Sequence, residues 1–306
     1  MININVKLNK LFMISADYIF ARHCVRVEGL RLVNAFNRMR GFNLFYTDRE
    51  GDPICRFIGN DSESFPVVEE EIKILYKDSK DGFKSFFAKK KDGGFIFDSS
   101  SEKGDRVVFV TNDNIKEVTF YGDYSDDLLR FALWLAYGLA VLPTLTVSLH
   151  ASSIVYNNKV VLFLGESGTG KSTHSRLWLQ NIKGAELFND DSPILRVENG
   201  EIIAYGGPWS GKTPCYRTES YPLAACIRLS QAPHNKISRL STVAAYTALH
   251  PSCPPEFAYD ENLYDHVSEF LSHLVSSVPV FRMEALPDAE AAKVSCEAVF
   301  GSCLKN

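Results

Sequence analysis

Apolar and polar positions divide the chain into two stretches of different rhythm. Up to about residue 124, short apolar runs alternate with turns rich in Gly and Asp. The turns are Asp48-Arg49-Glu50-Gly51-Asp52-Pro53, Lys80-Asp81-Gly82 and Asp92-Gly93-Gly94. Between and after them lie Phe86-Phe87, Phe95-Ile96-Phe97, Arg106 to Val110 and Glu117 to Tyr121. Short strands separated by such turns predict a meander or a small barrel-like sheet. Leu32, Val33 and Phe36 share one face of a helix predicted between Leu30 and Met39. Lys89-Lys90-Lys91 reads as a solvated hairpin tip.

The second stretch mixes longer helical periods with strands. Ser125-Asp126-Asp127 is a helix-start signal, and Leu128 to Leu142 carries the helix. Gly138 and Pro143 interrupt and close its apolar run, so it reads as a buried helix and not a membrane span, which needs about 20 apolar residues. Strands are predicted at Thr144 to Leu149, Ile154 to Tyr156 and Val160 to Leu164, with Asn157-Asn158 turning the last two into a hairpin. A helix from Thr173 to Asn181 follows, then strands at Glu186 to Phe188, Ile194 to Val197, Ile202 to Tyr205 and Ala225 to Leu229. Helices at 242–249 and 261–277, a strand from Pro279 to Met283 and a last helix capped by Asp288 complete the pattern.

Composition narrows the class. The 306 residues, 45% hydrophobic and 23% charged, suit a soluble globular protein of one large or two ordinary domains. A net charge of -4 argues against nucleic acid as the main partner. The seven cysteines are scattered without a Cys-x-x-Cys pair and read as reduced thiols of a cytoplasmic protein. The N-terminus shows no secretory signal pattern. Neither a membrane nor a nucleic-acid partner is expected; a homo-oligomer is possible.

The chemistry centres on Val160 to Thr173. Five apolar residues lead into Gly165-Glu166-Ser167-Gly168-Thr169-Gly170-Lys171-Ser172-Thr173, a Gly-x-x-x-x-Gly-Lys-Ser pattern in the strand–loop–helix setting of a phosphate-binding loop. The glycines let successive N–H groups point at phosphate oxygens, and the following helix adds its positive end. Lys171 would reach the β- and γ-phosphates of ATP, and Ser172 would ligate Mg²⁺. Asp190 and Asp191 close a short apolar strand, where a carboxylate can hold the metal or take a proton from an attacking hydroxyl. The two adjacent carboxylates could divide those tasks, because neighbouring residues on extended chain point different ways, with Asp190 the candidate for metal and base. Trp209, Lys212 and Arg217, in and after a Gly-rich segment, are candidates for a substrate-side loop; Arg239 and Arg282 are weaker candidates for charge stabilisation.

The Gly-Glu-Ser-Gly-Thr-Gly-Lys-Ser-Thr run, the Asp190-Asp191 pair and His150 before the loop strand resemble the HPr kinase/phosphorylase catalytic domain. The loop is also similar to that of ATP-dependent phosphoenolpyruvate carboxykinase. Tyr205 to Lys212 and Cys215 to Pro222 look like segments of HPr-kinase-related proteins outside the classical group. The resemblance covers about residues 125–306. It implies Lys171 and Ser172 as phosphate lysine and metal ligand, Asp190 as base beside Asp191, and His150 near the γ-phosphate. It further implies a strongly curved β core with flanking helices. Ile203 to Trp209 lacks the acidic residue that the classical enzymes have in that region, so the reverse phosphorolysis is not expected. The expectation is therefore a mixed α/β (α+β) protein: a β-rich N-terminal domain over 1–124, of unassigned role, and an HPr-kinase-like catalytic domain over 125–306. The expected activity is ATP-dependent phosphoryl transfer to a hydroxyl on a protein or small molecule. Alternatives are a non-enzymatic ATP-binding regulator and, third, a carboxykinase-like lyase.

Overall fold

The computed structural model describes residues 14–49, 51–60, 62, 64–66, 71–80, 82–122 and 125–303. Glu50 and Asp81, from two of the expected turns, lie outside the described residues. The protein is a mixed α/β fold with two large sheets and, among the described residues, six α-helices. Its contacts divide it into two compact units, 1–140 and 141–306.

The first unit is one nine-stranded sheet. Its strands are β1 (Ser15–Phe20), β2 (His23–Glu28), β3 (Tyr46–Thr47), β4 (Cys55–Gly59), β5 (Ile72–Lys80), β6 (Phe83–Lys90), β7 (Phe95–Ser101), β8 (Arg106–Thr111) and β9 (Glu117–Gly122). They lie in the order β3-β1-β2-β4-β9-β8-β7-β6-β5. The expected meander exists from β5 to β9, but β4 joins β2 and β9 in parallel, which a pure meander cannot do. Helix α1 (Leu30–Arg38) crosses between β2 and the β3–β4 segment and buries Leu32, Val33, Ala35 and Phe36. Helix α2 (Asp126–Val141), expected to open the catalytic half, packs mainly on this sheet. Tyr137 donates its hydroxyl to the Phe20 carbonyl at 2.9 Å, and Phe131 meets Phe97 with ring centroids 5.7 Å apart. The segment Asp126–Thr144 is long and apolar enough to cross a membrane, yet 61% of its apolar window is buried inside the protein. Leu128, Leu129, Leu133, Leu135 and Leu139 of this helix are buried.

The second unit carries β10 (Thr146–Ser148), β11 (Ser152–Tyr156), β12 (Lys159–Leu164), α3 (Lys171–Asn181), β13 (Glu186–Asn189), β14 (Ile194–Glu198), β15 (Glu201–Tyr205), β16 (Ser220–Gln231), β17 (Lys236–Arg239), α4 (Thr242–Leu249), α5 (Glu261–Ser277), β18 (Val280–Ala285) and α6 (Ala289–Phe300). Asn157 and Asn158 both take positive φ, the geometry of the tight hairpin between β11 and β12. Asp260 and Asp288 cap α5 and α6 by accepting from Leu263 N and Ala291 N. The strand order is β10-β14-β15-β16-β12-β11-β13, with β18 added along β16 and β17 along β18. β16 is the seam. Its start pairs antiparallel with β15, and its remainder lies parallel to β12 on one side and to β18 on the other. Phe163, Trp178, Ile227, Met283 and Cys296 meet in the core beneath α3 and α6. Cys296 and Cys303 form a disulfide, against the expectation of reduced thiols throughout; the last turn of α6 brings the two together at a Cα separation of 6.1 Å.

Candidate functional site

The glycine loop leaves β12 at Gly165 and enters α3 at Lys171. Gly165, Gly168 and Gly170 take φ values of 152°, 83° and 104°, which side-chain-bearing residues rarely adopt. The loop is held by its own atoms: Thr169 donates its hydroxyl to the Glu166 carbonyl at 2.8 Å, and Lys171 Nζ donates to the Gly165 carbonyl at 2.8 Å. Ser167 and Ser172 are exposed and Thr173 half-buried. Ser175 anchors the helix from below through a 2.6 Å hydroxyl contact with buried Ser152 on β11.

The two aspartates face different ways. Asp190 is tied into the loop that follows β15. Its Oδ1 accepts from Ser210 Oγ at 2.8 Å and Gly211 N at 2.7 Å, and its Oδ2 accepts from Thr213 N at 2.7 Å. Three donors on its two oxygens tie it to this loop and leave part of Oδ2 open. Asp191 points the other way. Its Oδ1 lies 3.5 Å from His150 Nδ1, and its charge acts on Lys171. Burial lowers the Lys171 pKa, which the carboxylates of Asp191 and Glu166 oppose and the Arg228 charge reinforces. Burial also lowers the His150 pKa; Asp191 opposes this and Lys171 adds to it. Asp191, Lys171, Glu166 and Arg228, with the His150 imidazole beside them, thus form one electrostatically linked group around the glycine loop.

Backbone bonds set this arrangement. His150 N donates to the Ser252 carbonyl at 2.8 Å, and Ala151 N to the Asp191 carbonyl at 2.9 Å, fixing the end of β10 beside the aspartate turn. The turn itself is built by Asn189, which is fully buried. Its Oδ1 accepts from Asp191 N at 2.9 Å and Ser192 N at 2.8 Å, while its Nδ2 donates to the Trp209 carbonyl at 2.9 Å. Asn189 is a positioning residue that the sequence reading did not single out; an Asn two residues before an aspartate is the Asx-turn signal that would have found it.

The substrate-loop candidates fare unequally. Trp209, expected as a stacking platform, is only 3% exposed. Arg217 pairs with Glu186 at 2.7 Å on the flank of β13, which engages its guanidinium. Lys212 is exposed on the loop that Asp190 anchors. Arg239 and Arg282 are exposed on β17 and β18, in adjoining strands. Two residues of β16, absent from the expectation, do reach the glycine loop. Arg228 pairs with Glu166 Oε1 at 2.5 Å and donates to the Ala248 carbonyl at 3.0 Å. Gln231 Nε2 donates to the Gly168 carbonyl at 3.0 Å.

Among the described residues no group of three or more His, Cys, Asp or Glu side chains converges as a metal cage. Mg²⁺ beside a triphosphate does not require one, since it keeps waters and takes one or two protein oxygens. The Ser172 hydroxyl, expected as one such oxygen, is exposed at the start of α3.

No family model matches the chain, and no curated protein matches it. Among solved structures it is similar to the Hpr(Ser) kinase/phosphatase from Coxiella burnetii, at 14% identity over 50% of this chain and 92% of that one, with a TM-score of 0.29. A likeness at that level assigns neither family nor activity.

Proposed function

We propose that this protein is an ATP-dependent kinase that transfers the γ-phosphoryl group to a hydroxyl acceptor. The observation that carries the reading is the glycine loop between β12 and α3, with Lys171 at the helix start and the Asp191 carboxylate, beside His150, acting electrostatically on that lysine. A pure phosphate-binding turn needs no carboxylate there, because a negative charge near the lysine opposes anion binding. A phosphoryl-transfer site does need one.

In this reading the loop N–H groups and the N-terminus of α3 receive the β- and γ-phosphates. Lys171 gives up its bonds to the Gly165 and Glu166 carbonyls and turns to the phosphate oxygens. Mg²⁺ held by Ser172 and Asp191 would neutralise charge that develops on the transferring group. Asp191 accepts the acceptor hydroxyl's proton. His150, kept neutral at pH 7 by its lowered pKa, holds the Asp191 carboxylate in place without cancelling its charge. Asp190 shapes the loop that borders the acceptor side.

The test is transfer of labelled γ-phosphate from ATP with Mg²⁺ to protein and small-molecule fractions of a lysate. Wild type is compared with Lys171→Ala, Asp191→Asn and Asp190→Asn. Label with wild type and none with Asp191→Asn, while that variant still binds ATP, supports the reading. ATP binding without transfer to any fraction would replace it with the regulatory alternative.

A further inference from the structure

The sheet of the first unit carries a cavity of about 660 Å³ over strands β5 to β8, within the size range of small-ligand pockets. Strand register says which side chains share it, because directly paired residues, and residues two apart on one strand, lie on the same face. Ser79, Lys84, Ser100 and Arg106 form one row across the four strands. Lys77, Phe86 and Asp98 form the next row, two residues along. Phe86 is half-buried and packs against the small apolar cluster of Ala88, Ile96 and Val108. Both lysines are exposed. The cavity therefore has an apolar side and a cationic side.

Its charges do not balance internally. Asp98 is the acid of those two rows, and Arg106 occupies both its oxygens, with Nε 3.1 Å from Oδ1 and Nη2 2.5 Å from Oδ2. The same guanidinium lies over the Phe65 ring, 4.4 Å from its centroid, which fixes that wall. Asp78 also borders the cavity, and its Oδ1 accepts from Ser79 N at 2.8 Å. Among the described residues, no hydrogen bond or ion pair engages the ammonium groups of Lys77 and Lys84 or the hydroxyls of Ser79 and Ser100. Lys77 stands diagonal to Lys84 across the β5–β6 pair, a separation of about 7–8 Å, and like charges that close repel. The site is thus rich in donors and poor in acceptors.

We propose that this cavity binds a small molecule through a doubly charged oxyanion head, a phosphate monoester or a dicarboxylate, with an apolar body against Phe86. An ammonium group donates and never accepts, so two of them beside two hydroxyls are satisfied by a ligand whose polar atoms are acceptors. Two negative charges answer both lysines and remove their mutual repulsion; a single charge leaves one lysine unanswered. Charge-assisted bonds of this kind are the stronger class of hydrogen bond. The inference is independent of the phosphate-binding reading of the glycine loop, which belongs to the other unit.

The experiment measures calorimetric affinity of the full chain, at neutral pH and low salt, for phenyl phosphate, phthalate and benzoate. Wild type is compared with Lys77→Gln, Lys84→Gln, the double variant and Lys171→Ala, and thermal melting checks that each is folded. At least one of the two dianions should bind wild type and Lys171→Ala alike, and the tighter of the two identifies the head group. Benzoate, with one charge, should bind at least about tenfold more weakly, and the double variant should lose about tenfold or more for the dianion, each single variant part of that. Added salt should weaken the binding. No binding of either dianion by wild type overturns the proposal, as does benzoate binding equal to theirs. Affinity kept in the folded lysine variants also overturns it, and a loss confined to Lys171→Ala would put the anion at the glycine loop instead.

Discussion

His174 lies on the second turn of the glycine-loop helix and is 3% exposed. Its Nε2 meets Ser295 Oγ at 2.9 Å, the same oxygen that accepts from Trp178 Nε1 at 2.9 Å. Ser295 has one proton and gives it to the Ala291 carbonyl at 2.9 Å or the Ala292 carbonyl at 3.0 Å. Its lone pairs are therefore free to accept from both rings, which assigns the proton of the neutral imidazole to Nε2. A second proton would place a charge in the core, and burial pushes the His174 pKa from 6.5 down to about 4. At about 1.4 kcal/mol per unit, that displacement corresponds to about 3 kcal/mol. The sign follows from proton uptake. Above the unfolded value of 6.5 neither state is protonated. Between 6.5 and about 4 the unfolded chain takes a proton that the folded chain refuses, so stability falls as pH falls through this window. The perturbation is His174→Gln, whose amide keeps a donor for Ser295 but does not titrate. Urea unfolding of both proteins, without nucleotide, is compared from about pH 7.5 to about pH 4.5. Carboxylate titration is common to both and cancels in the difference. Wild type should lose about 2.5 kcal/mol more than the variant over that range. A difference constant to within about 0.5 kcal/mol would refute the reasoning, because His174 would then titrate alike in both states.

Asp190→Asn replaces an acceptor of three bonds by a group with one acceptor oxygen and sets an NH₂ against a donor. The loop should loosen by about 1–3 kcal/mol, read as faster tryptic cleavage after exposed Lys212. Gly206→Ala places a Cβ 2.0 Å from the Arg217 carbonyl oxygen, a backbone atom that cannot step aside. It should cost about 1–3 kcal/mol or more in denaturant unfolding, as overpacking does. Arg228→Ala leaves the Glu166 carboxylate uncompensated beside the phosphate site and should weaken ATP binding about tenfold, roughly 1.4 kcal/mol. Adding Glu166→Ala should restore most of the affinity in the same titration.

Much of this was legible from local sequence, because local chemistry fixes it. Asn157-Asn158 favour positive φ, Asp288 is a good helix cap, and the Gly-x-x-x-x-Gly-Lys-Ser spacing needs only a strand and a helix at its ends. What was not legible depends on partners distant in the chain. Adjacent aspartates on extended chain point apart, but which of them faces Lys171 is set by Asn189 and by the loop that closes over Asp190. Trp209 looked like a ligand platform because it sits among glycines; Asn189 and Ile194 instead draw its segment into the core. Arg228 and Gln231 carry no motif at all. They reach the glycine loop only because β16 lies parallel to β12, a pairing that no turn residue announces. The single cation of Arg228 opposite Leu164 would look, from sequence, like any half-buried arginine of a strand.

The same parallel pairing governs the order in which the glycine loop can form. β11 and β12 are joined by two asparagines and can close as a hairpin within microseconds. β16 is separated from β12 by α3 and three further strands, and the entropy of closing that long intervening chain precedes any reward from the contact. The hairpin edge that will carry the loop thus exists before the strand that steadies it. Until β16 docks, Glu166 has no Arg228 and Gly168 has no Gln231. A triphosphate that binds only the completed arrangement acts on the late step, slowing unfolding more than it speeds folding.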